Sequence, residues 1–162
     1  MRIRRIPPLL LSILIAQMAG VVGSIFTAGS IDTWYSTLIK PELNPPSWLF
    51  GPVWLLLYTL MGISAWLVWE KRKKLFGKKK VKIALQAYVA QLAANTLWSV
   101  LFFGLHNPKW AFMDLSLLFL LIILTMVEFR KIDKRACMLL IPYLLWVTFA
   151  GYLNYSIWQL NL

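Results

Sequence analysis

Five runs of mostly apolar residues follow one another along the chain, at 9–28, 48–69, 83–103, 110–129 and 138–160. Each is close to the ~20 residues that a helix needs to cross a bilayer. The connections are short and leave no room for a soluble domain. The pattern predicts an all-α protein, a single domain over 1–162, built as an integral membrane bundle of five transmembrane helices.

Within the runs, polar groups are few: Gln17, Gln91, Asn95, Asp114 and Asn154, with hydroxyls such as Tyr58, Ser99, Tyr143 and Thr148. Such groups are costly in hydrocarbon and are expected to face the bundle interior. Helical spacing sorts them into stripes. Trp54, Tyr58 and Met61 share one face of the second run, Asn95, Ser99 and Phe102 one face of the third, and Trp146, Ala150 and Asn154 one face of the fifth. Stripes of rings mixed with polar or small groups fit a cavity for a flat hydrophobic ligand; they equally fit aromatic packing with hydrogen bonds across helices. Asp114 is expected to bond to a neighbouring helix rather than to relay protons, since no second titratable group lies inside the bundle. Pro142 and Gly151 are expected to bend the last helix beside Trp146. Ala16/Gly20, Ala19/Gly23 and Ala90/Ala94 are small-xxx-small pairs that permit close helix contact, within one bundle or between two chains.

The connection 29–47 differs from the others, with Trp34, Tyr35, Pro41, Pro45 and Pro46 and little net charge. Asp32 is placed to cap a short helix carrying Trp34 and Leu38 on one face, with Pro41 ending it. A segment this rich in rings and prolines is expected to be ordered and packed on the bundle, either as a structural cap or as a lid over a ligand cavity.

Composition agrees with a membrane protein: 60% of residues are hydrophobic and nine are Trp. Trp48, Trp69 and Trp110 fall where membrane-interface tryptophans sit. Fifteen of the seventeen basic residues fall in three segments that five spans would place on one side. These are Arg2, Arg4 and Arg5; Lys71, Arg72, Lys73, Lys74, Lys78, Lys79, Lys80 and Lys82; and Arg130, Lys131, Lys134 and Arg135. Only Lys40 and Lys109 fall on the other. The excess of basic residues then predicts a cytoplasmic N-terminus. The Lys78–Lys82 cluster reads as a topology signal and an anionic-lipid contact, not as a nucleic-acid site. The first run also resembles a signal peptide, but it is of full spanning length and lacks a convincing cleavage site, so a retained helix is expected.

One Cys, Cys137, and one His, His106, exclude a disulfide framework and multi-Cys or multi-His metal sites. No phosphate loop, nucleophile elbow, acid/base pair or pore-lining polar ring is present. His106 reads as a loop residue.

A longer pattern runs through the first loop into the second span. It comprises Trp34-Tyr35, Leu38, Lys40-Pro41, Asn44-Pro45-Pro46, Trp48, Phe50-Gly51-Pro52-Val53-Trp54, Tyr58 and Met61-Gly62. With Val22-Gly23-Ser24, Gln91-Leu92-Ala93, Asn95, Trp98, Phe102-Phe103-Gly104, Trp110-Ala111, Asp114, Pro142-Tyr143-Leu144, Trp146, Phe149-Ala150, Leu153-Asn154-Tyr155 and Trp158, it resembles the tryptophan-rich sensory protein family. That is the translocator protein, or peripheral-type benzodiazepine receptor, family.

The resemblance implies a five-helix membrane bundle, often a homodimer, with a cavity closed by the first loop. It implies porphyrins such as protoporphyrin IX and haem, sterols or benzodiazepine-type compounds as ligands, with no cofactor required. By matching motif, it assigns Gly23, Trp54, Asn95, Trp110, Trp146 and Ala150 to the cavity. The stripes and the loop add Trp34, Tyr58, Phe102 and Asn154. It further implies light-dependent breakdown of protoporphyrin IX in some bacterial members, with Trp54 and Trp146 as the residues required. The basic residue of the sterol pattern is missing after Tyr155, where Ser156, Ile157, Trp158, Gln159 and Leu160 follow. That departure speaks against sterol recognition and for a prokaryotic member in a cell membrane. Three functions compete: a porphyrin sensor or binding protein, a photochemical enzyme, and a transporter.

Overall fold

A computed structural model describes residues 6–73 and 77–162. Of the basic residues invoked for topology, Arg2, Arg4, Arg5 and Lys74 lie outside the described residues. Among the described residues the chain is helical, with no strand. The helices are α1 (Ile6–Ala28), α2 (Ser47–Glu70), α3 (Gly77–Ser99), α4 (Pro108–Arg130), α5 (Lys134–Leu139) and α6 (Ile141–Leu160). Two π-helical turns, Ile31–Tyr35 and Val100–Gly104, stand after α1 and α3.

Among the described residues four stretches are long and apolar enough to cross a membrane: Ile6–Ala28, Ser47–Glu70, Pro108–Arg130 and Lys134–Leu160. α3 falls short by composition, since it begins with Lys78, Lys79, Lys80 and Lys82 and carries Gln86, Gln91, Asn95 and Thr96. It nevertheless packs along α1 on one side and α4 on the other; α2 lies beyond α1, and α5–α6 closes the bundle between α4 and α2.

The bundle is small inside and large outside at α1. Only Ala16 and Gly23 are buried there, while Leu10, Leu11, Leu14, Ile15, Met18, Val21 and Ile25 are exposed. That inversion is expected where hydrocarbon surrounds the helices, because close backbone approach rather than apolar burial drives association. Backbones of α1 and α2 approach closely at Gly62, where a Cβ would fall 2.5 Å from Ile13 Cα, and Ser12 Oγ donates to the Gly62 carbonyl at 2.8 Å. Of the small-xxx-small residues, Gly20 faces Tyr58 and Gly23 faces Ser99, so these contacts are made within one bundle.

Three local expectations are corrected. Ser30, not Asp32, stands at the start of the helical turn in the first loop, and Asp32 is exposed within it. The last helix breaks at Leu140, where the missing N–H of Pro142 interrupts the ladder, and continues unbroken through Gly151. Gly151 is instead a close-packing position, with a Cβ falling 3.1 Å from Leu115 Cδ2. Asp114 lacks the interhelical bond predicted for it: its Oδ2 is buried without a hydrogen-bond partner.

Candidate functional site

The stripes read from helical spacing turn toward one space, except that Met61 is buried in the core instead. A cavity of about 560 Å3 lies between α1, α2, α3 and α6 beneath the first loop, within the ~300–1,000 Å3 range of small-molecule sites. Gly23, Trp54, Tyr58, Asn95, Phe102, Trp146, Ala150 and Asn154 all line it. Two expected residues do not. Trp34 sits above the wall, edge-on to Phe102 at 5.4 Å. Trp110 is 56% exposed in the first turn of α4, as an interface tryptophan would be.

Glycines make the room on the α1 side. A Cβ on Gly23 would fall 2.9 Å from Ser99 Oγ, and one on Gly20 would meet the Tyr58 ring. On the α2 side, Trp54 lies 5.4 Å from Tyr58 and 6.3 Å, edge-on, from Tyr143. On α6, Trp146 meets the edge of Phe50 at 5.9 Å.

The floor is a hydrogen-bonded chain across three helices. The Tyr58 hydroxyl donates to Asn95 Oδ1. Asn95 Nδ2 donates to the Tyr143 hydroxyl at 3.0 Å, which donates to Gln91 Oε1 at 2.9 Å. Tyr58, Asn95, Tyr143 and Gln91 are all buried. Satisfied polar networks of this kind fix one arrangement of the helices, since any partner left alone at that depth would be costly. A second bracket stands near the loop end: Trp98 Nε1 donates to Asn154 Oδ1 at 2.9 Å, and Asn154 Nδ2 donates to the Pro108 carbonyl at 2.7 Å. Asn154 thus ties the ends of α3 and α4 to α6, its amide engaged by protein groups. On the wall, Trp146 Nε1 is buried with no partner.

Above the floor, the π-helical turn Val100–Gly104 widens the end of α3; the Leu105 N–H reaches the Val100 carbonyl at 2.8 Å. The wider turn buries two consecutive rings, Phe102 and Phe103. Trp98 stacks on Phe102 at 5.2 Å, and Tyr35 packs against both phenylalanines. Ser30 Oγ donates to the Phe103 carbonyl at 2.8 Å. Trp34 stacks on His106 at 4.4 Å and 16°, and His106 holds a left-handed φ of 51°. The loop is therefore packed on the bundle as its composition predicts, with Trp34 and Leu38 turned to the same cluster. Burial raises the Tyr35 hydroxyl above its ordinary pKa, an effect opposed by its hydrogen bond to Asn44 Oδ1 at 2.9 Å, so it stays a donor at neutral pH.

Sequence spacing missed Phe50, Trp98 and Ile157, which also line the cavity. Trp98 was visible only as part of the family pattern, since its ring lies off the stripe of Asn95, Ser99 and Phe102. Among the described residues no cluster of His, Cys, Asp or Glu is able to hold a metal.

Comparison with known proteins follows the same residues. The profile of the TspO/MBR family matches 12–159. The chain is 41% identical over 158 residues to the tryptophan-rich protein TspO of Chlorobaculum tepidum, covering 98% of both. It is 44% identical over 153 residues to that of Archaeoglobus fulgidus, covering 94% of this chain and 96% of the relative. It is 41% identical over 141 residues to the translocator protein of Homo sapiens, covering 86% and 82%. With nearly its whole length matched, the chain belongs to the TspO/MBR family of membrane proteins.

Proposed function

We propose that this protein binds a porphyrin or a related flat hydrophobic ligand in the cavity beneath the 29–47 loop and acts as a sensor or binding protein. The observation that carries the reading is one space walled by Trp54, Trp98 and Trp146, with the indole N–H of Trp146 left unpartnered. Rings supply stacking surface for a planar macrocycle, and an unpartnered donor suits a ligand bearing an acceptor. Names such as "tryptophan-rich sensory protein" for a relative in Cereibacter sphaeroides are in keeping with this. Titration of the purified protein with protoporphyrin IX, followed by tryptophan quenching, tests it; absence of saturable quenching sinks it.

The photochemical reading is favoured by one observation: two indoles, Trp54 and Trp146, stand on the wall where an excited porphyrin would lie. Illumination of the complex, with loss of the porphyrin absorption band measured against a protein-free control, separates it from pure binding. Flux of porphyrin into proteoliposomes tests the transport alternative.

The same proposal includes five membrane crossings. α3 packs between α1 and α4, and the 21 residues of 83–103 rise about 31 Å, enough for the hydrocarbon core. Its polar Gln91 and Asn95 face the interior network, which lowers its hydropathy without exposing it to lipid. Five crossings put the Lys78–Lys82 end in the cytoplasm of a prokaryotic cell. A cysteine introduced there in a Cys137-free background would resist an impermeant thiol reagent in intact cells; rapid labelling would overturn the orientation. Pairing as a homodimer belongs to the same reading, and cross-linking in native membranes tests it.

A further inference from the structure

One face of α2 carries Gly51, Leu55, Tyr58 and Gly62, at i, i+4, i+7 and i+11. The stripe of α1 that meets it carries Ile13, Gln17, Gly20 and Ser24 at the same spacing. At the Gly62 end the backbones touch, with a Cβ there falling 2.5 Å from Ile13 Cα. One turn along α1, Gln17 Nε2 donates to the Leu55 carbonyl and to Thr59 Oγ1, each at 3.0 Å. Next, Gly20 lies against the Tyr58 ring. At Gly51, by contrast, a Cβ would meet nothing within 4 Å. Gly51 and Gly62 stand three turns apart, about 16 Å along the axis. The two helices therefore part as they run toward the first loop.

The parting opens the cavity sideways. Among the described residues, those that line the cavity and are also exposed all belong to α1 or α2. They include Val21 and Ser24 on one rim of the seam and Trp48, Gly51 and Leu55 on the other, with Trp48 72% and Leu55 62% exposed. The remaining lining residues are buried or half-buried. Contacts hold the other seams together. A Cβ on Gly23 would fall 2.9 Å from Ser99 Oγ, and Thr96 Oγ1 donates to the Ala19 carbonyl at 3.2 Å, so α1 lies close on α3. Trp98 bonds to Asn154 between α3 and α6, and Phe50 meets Trp146 between α2 and α6.

We infer that ligand enters and leaves the cavity from the bilayer, sideways through the seam between α1 and α2, so that the ligand class is a solute dissolved in lipid. The inference rests on the proposed ligand cavity. Both helices are long and apolar enough to cross a membrane, so the rims of the seam face hydrocarbon. An opening of about 16 Å is roughly half of the ~30 Å hydrocarbon core, which places it in the leaflet on the side of the first loop. A flat apolar solute concentrates in that leaflet, and passing from lipid into a ring-lined space it never returns its faces to water. The rims suit such a passage. Ser24 and Gly51 are small, and the Ser24 hydroxyl is turned back to the Val21 carbonyl of its own helix at 2.7 Å. Trp48 and Leu55 supply apolar surface on the α2 side.

The test uses the full chain in liposomes with Cys137→Ser and a probe cysteine at Ala150, on the α6 wall of the cavity. Labelling by an uncharged, lipid-soluble maleimide is followed without ligand. Ser24→Trp and Gly51→Trp, each placing an indole in the seam, slow it severalfold. Leu117→Trp, at an exposed position of α4 outside the cavity wall, leaves the parent rate. Melting temperatures stay close to the parent's; if either Trp variant melts early, Ser24→Leu and Gly51→Leu take its place. The parent rate in both seam variants overturns the inference, as does equal slowing by Leu117→Trp. Relative to a cysteine at the exposed Leu162, a charged maleimide labels position 150 far more slowly than the lipid-soluble one; equal relative rates would put the entrance in water and overturn it too. In a separate arm, protoporphyrin IX carried in the liposomes associates with and leaves the seam variants severalfold more slowly, while Kd changes much less, because a narrowed passage slows both directions alike. Unchanged rates in a parent that binds overturn the route. If the parent does not bind protoporphyrin IX, the binding proposal fails, and the ligand-free labelling still decides the seam.

Discussion

The ring of Tyr58 occupies the space in which a side chain on Gly20 would begin: a Cβ there would fall 2.7 Å from Tyr58 Cδ2. The hydroxyl at the far end of that ring starts the hydrogen-bonded chain through Asn95 and Tyr143 to Gln91. Gly20→Ala must therefore displace a buried ring and pull its hydroxyl from Asn95. Overpacking of this kind costs about 1–3 kcal/mol. Gly29→Ala, with nothing within 4 Å, is the matched control and should be nearly neutral. Thermal unfolding in detergent reads both; equal melting temperatures would mean that the ring moves freely.

Trp54 and Trp146 are the next test. Stacking on a planar ligand is worth about 1–3 kcal/mol per ring, by analogy with base stacking. Replacing either by Ala should weaken porphyrin binding more than replacing it by Phe, which keeps a ring. If breakdown under light occurs, the double Phe variant should lose it while binding largely survives, because phenylalanine is much harder to oxidise than indole. Unchanged affinity in the double Ala variant would remove both residues from the site.

Trp34 and Trp110 make a contrasting pair. Trp34 acts through contact, braced between Phe102 and His106, so Trp34→Ala should raise the porphyrin Kd severalfold with little change in melting temperature. Trp110 lies outside the cavity wall and should leave Kd unchanged on replacement by Ala. A large effect at Trp110 and none at Trp34 would reverse the placement of the closure.

Asp133 offers a pH test away from the membrane interior. It stands before α5, where its carboxylate accepts from the Arg135 backbone N–H at 2.9 Å and lies 3.2 Å from the Arg135 guanidinium and 3.7 Å from Lys71. Burial alone would raise its pKa; the Arg135 hydrogen bonds and the charges of Arg135 and Lys71 outweigh it and hold the carboxyl below its ordinary 3.8. A depressed carboxylate contributes its stability above the unfolded value and loses it as pH falls through the folded one. Asp133→Ala should cost about 1 kcal/mol at pH 7, the worth of a helix cap. The gap to the parent should close as pH falls below about 4. Asn at this position should keep the cap and lose the pH dependence, read as melting temperature against pH.

Much of the site was legible in the chain itself, because a helix converts spacing into direction. Asn95, Ser99 and Phe102 had to share a face, as did Trp54 with Tyr58 and Trp146 with Ala150 and Asn154, and a bilayer leaves polar groups only the interior. The apolar runs, the cluster of basic residues and the ring-rich first loop followed from the same two constraints. What spacing does not carry is the distance between helices or the partner of each donor. Trp110 matches the family pattern yet points away, because the first turn of α4 lies at the bundle's edge. Phe103 and Trp98 join the site because the π-helical turn Val100–Gly104 and the Asn154 bracket rotate and fix the end of α3. Asp114 finds no partner for its Oδ2, and Asn161 finds Ile39 across 122 residues of chain. These pairings depend on how six helices settle against one another, and close packing, not local sequence, decides which side chain meets which.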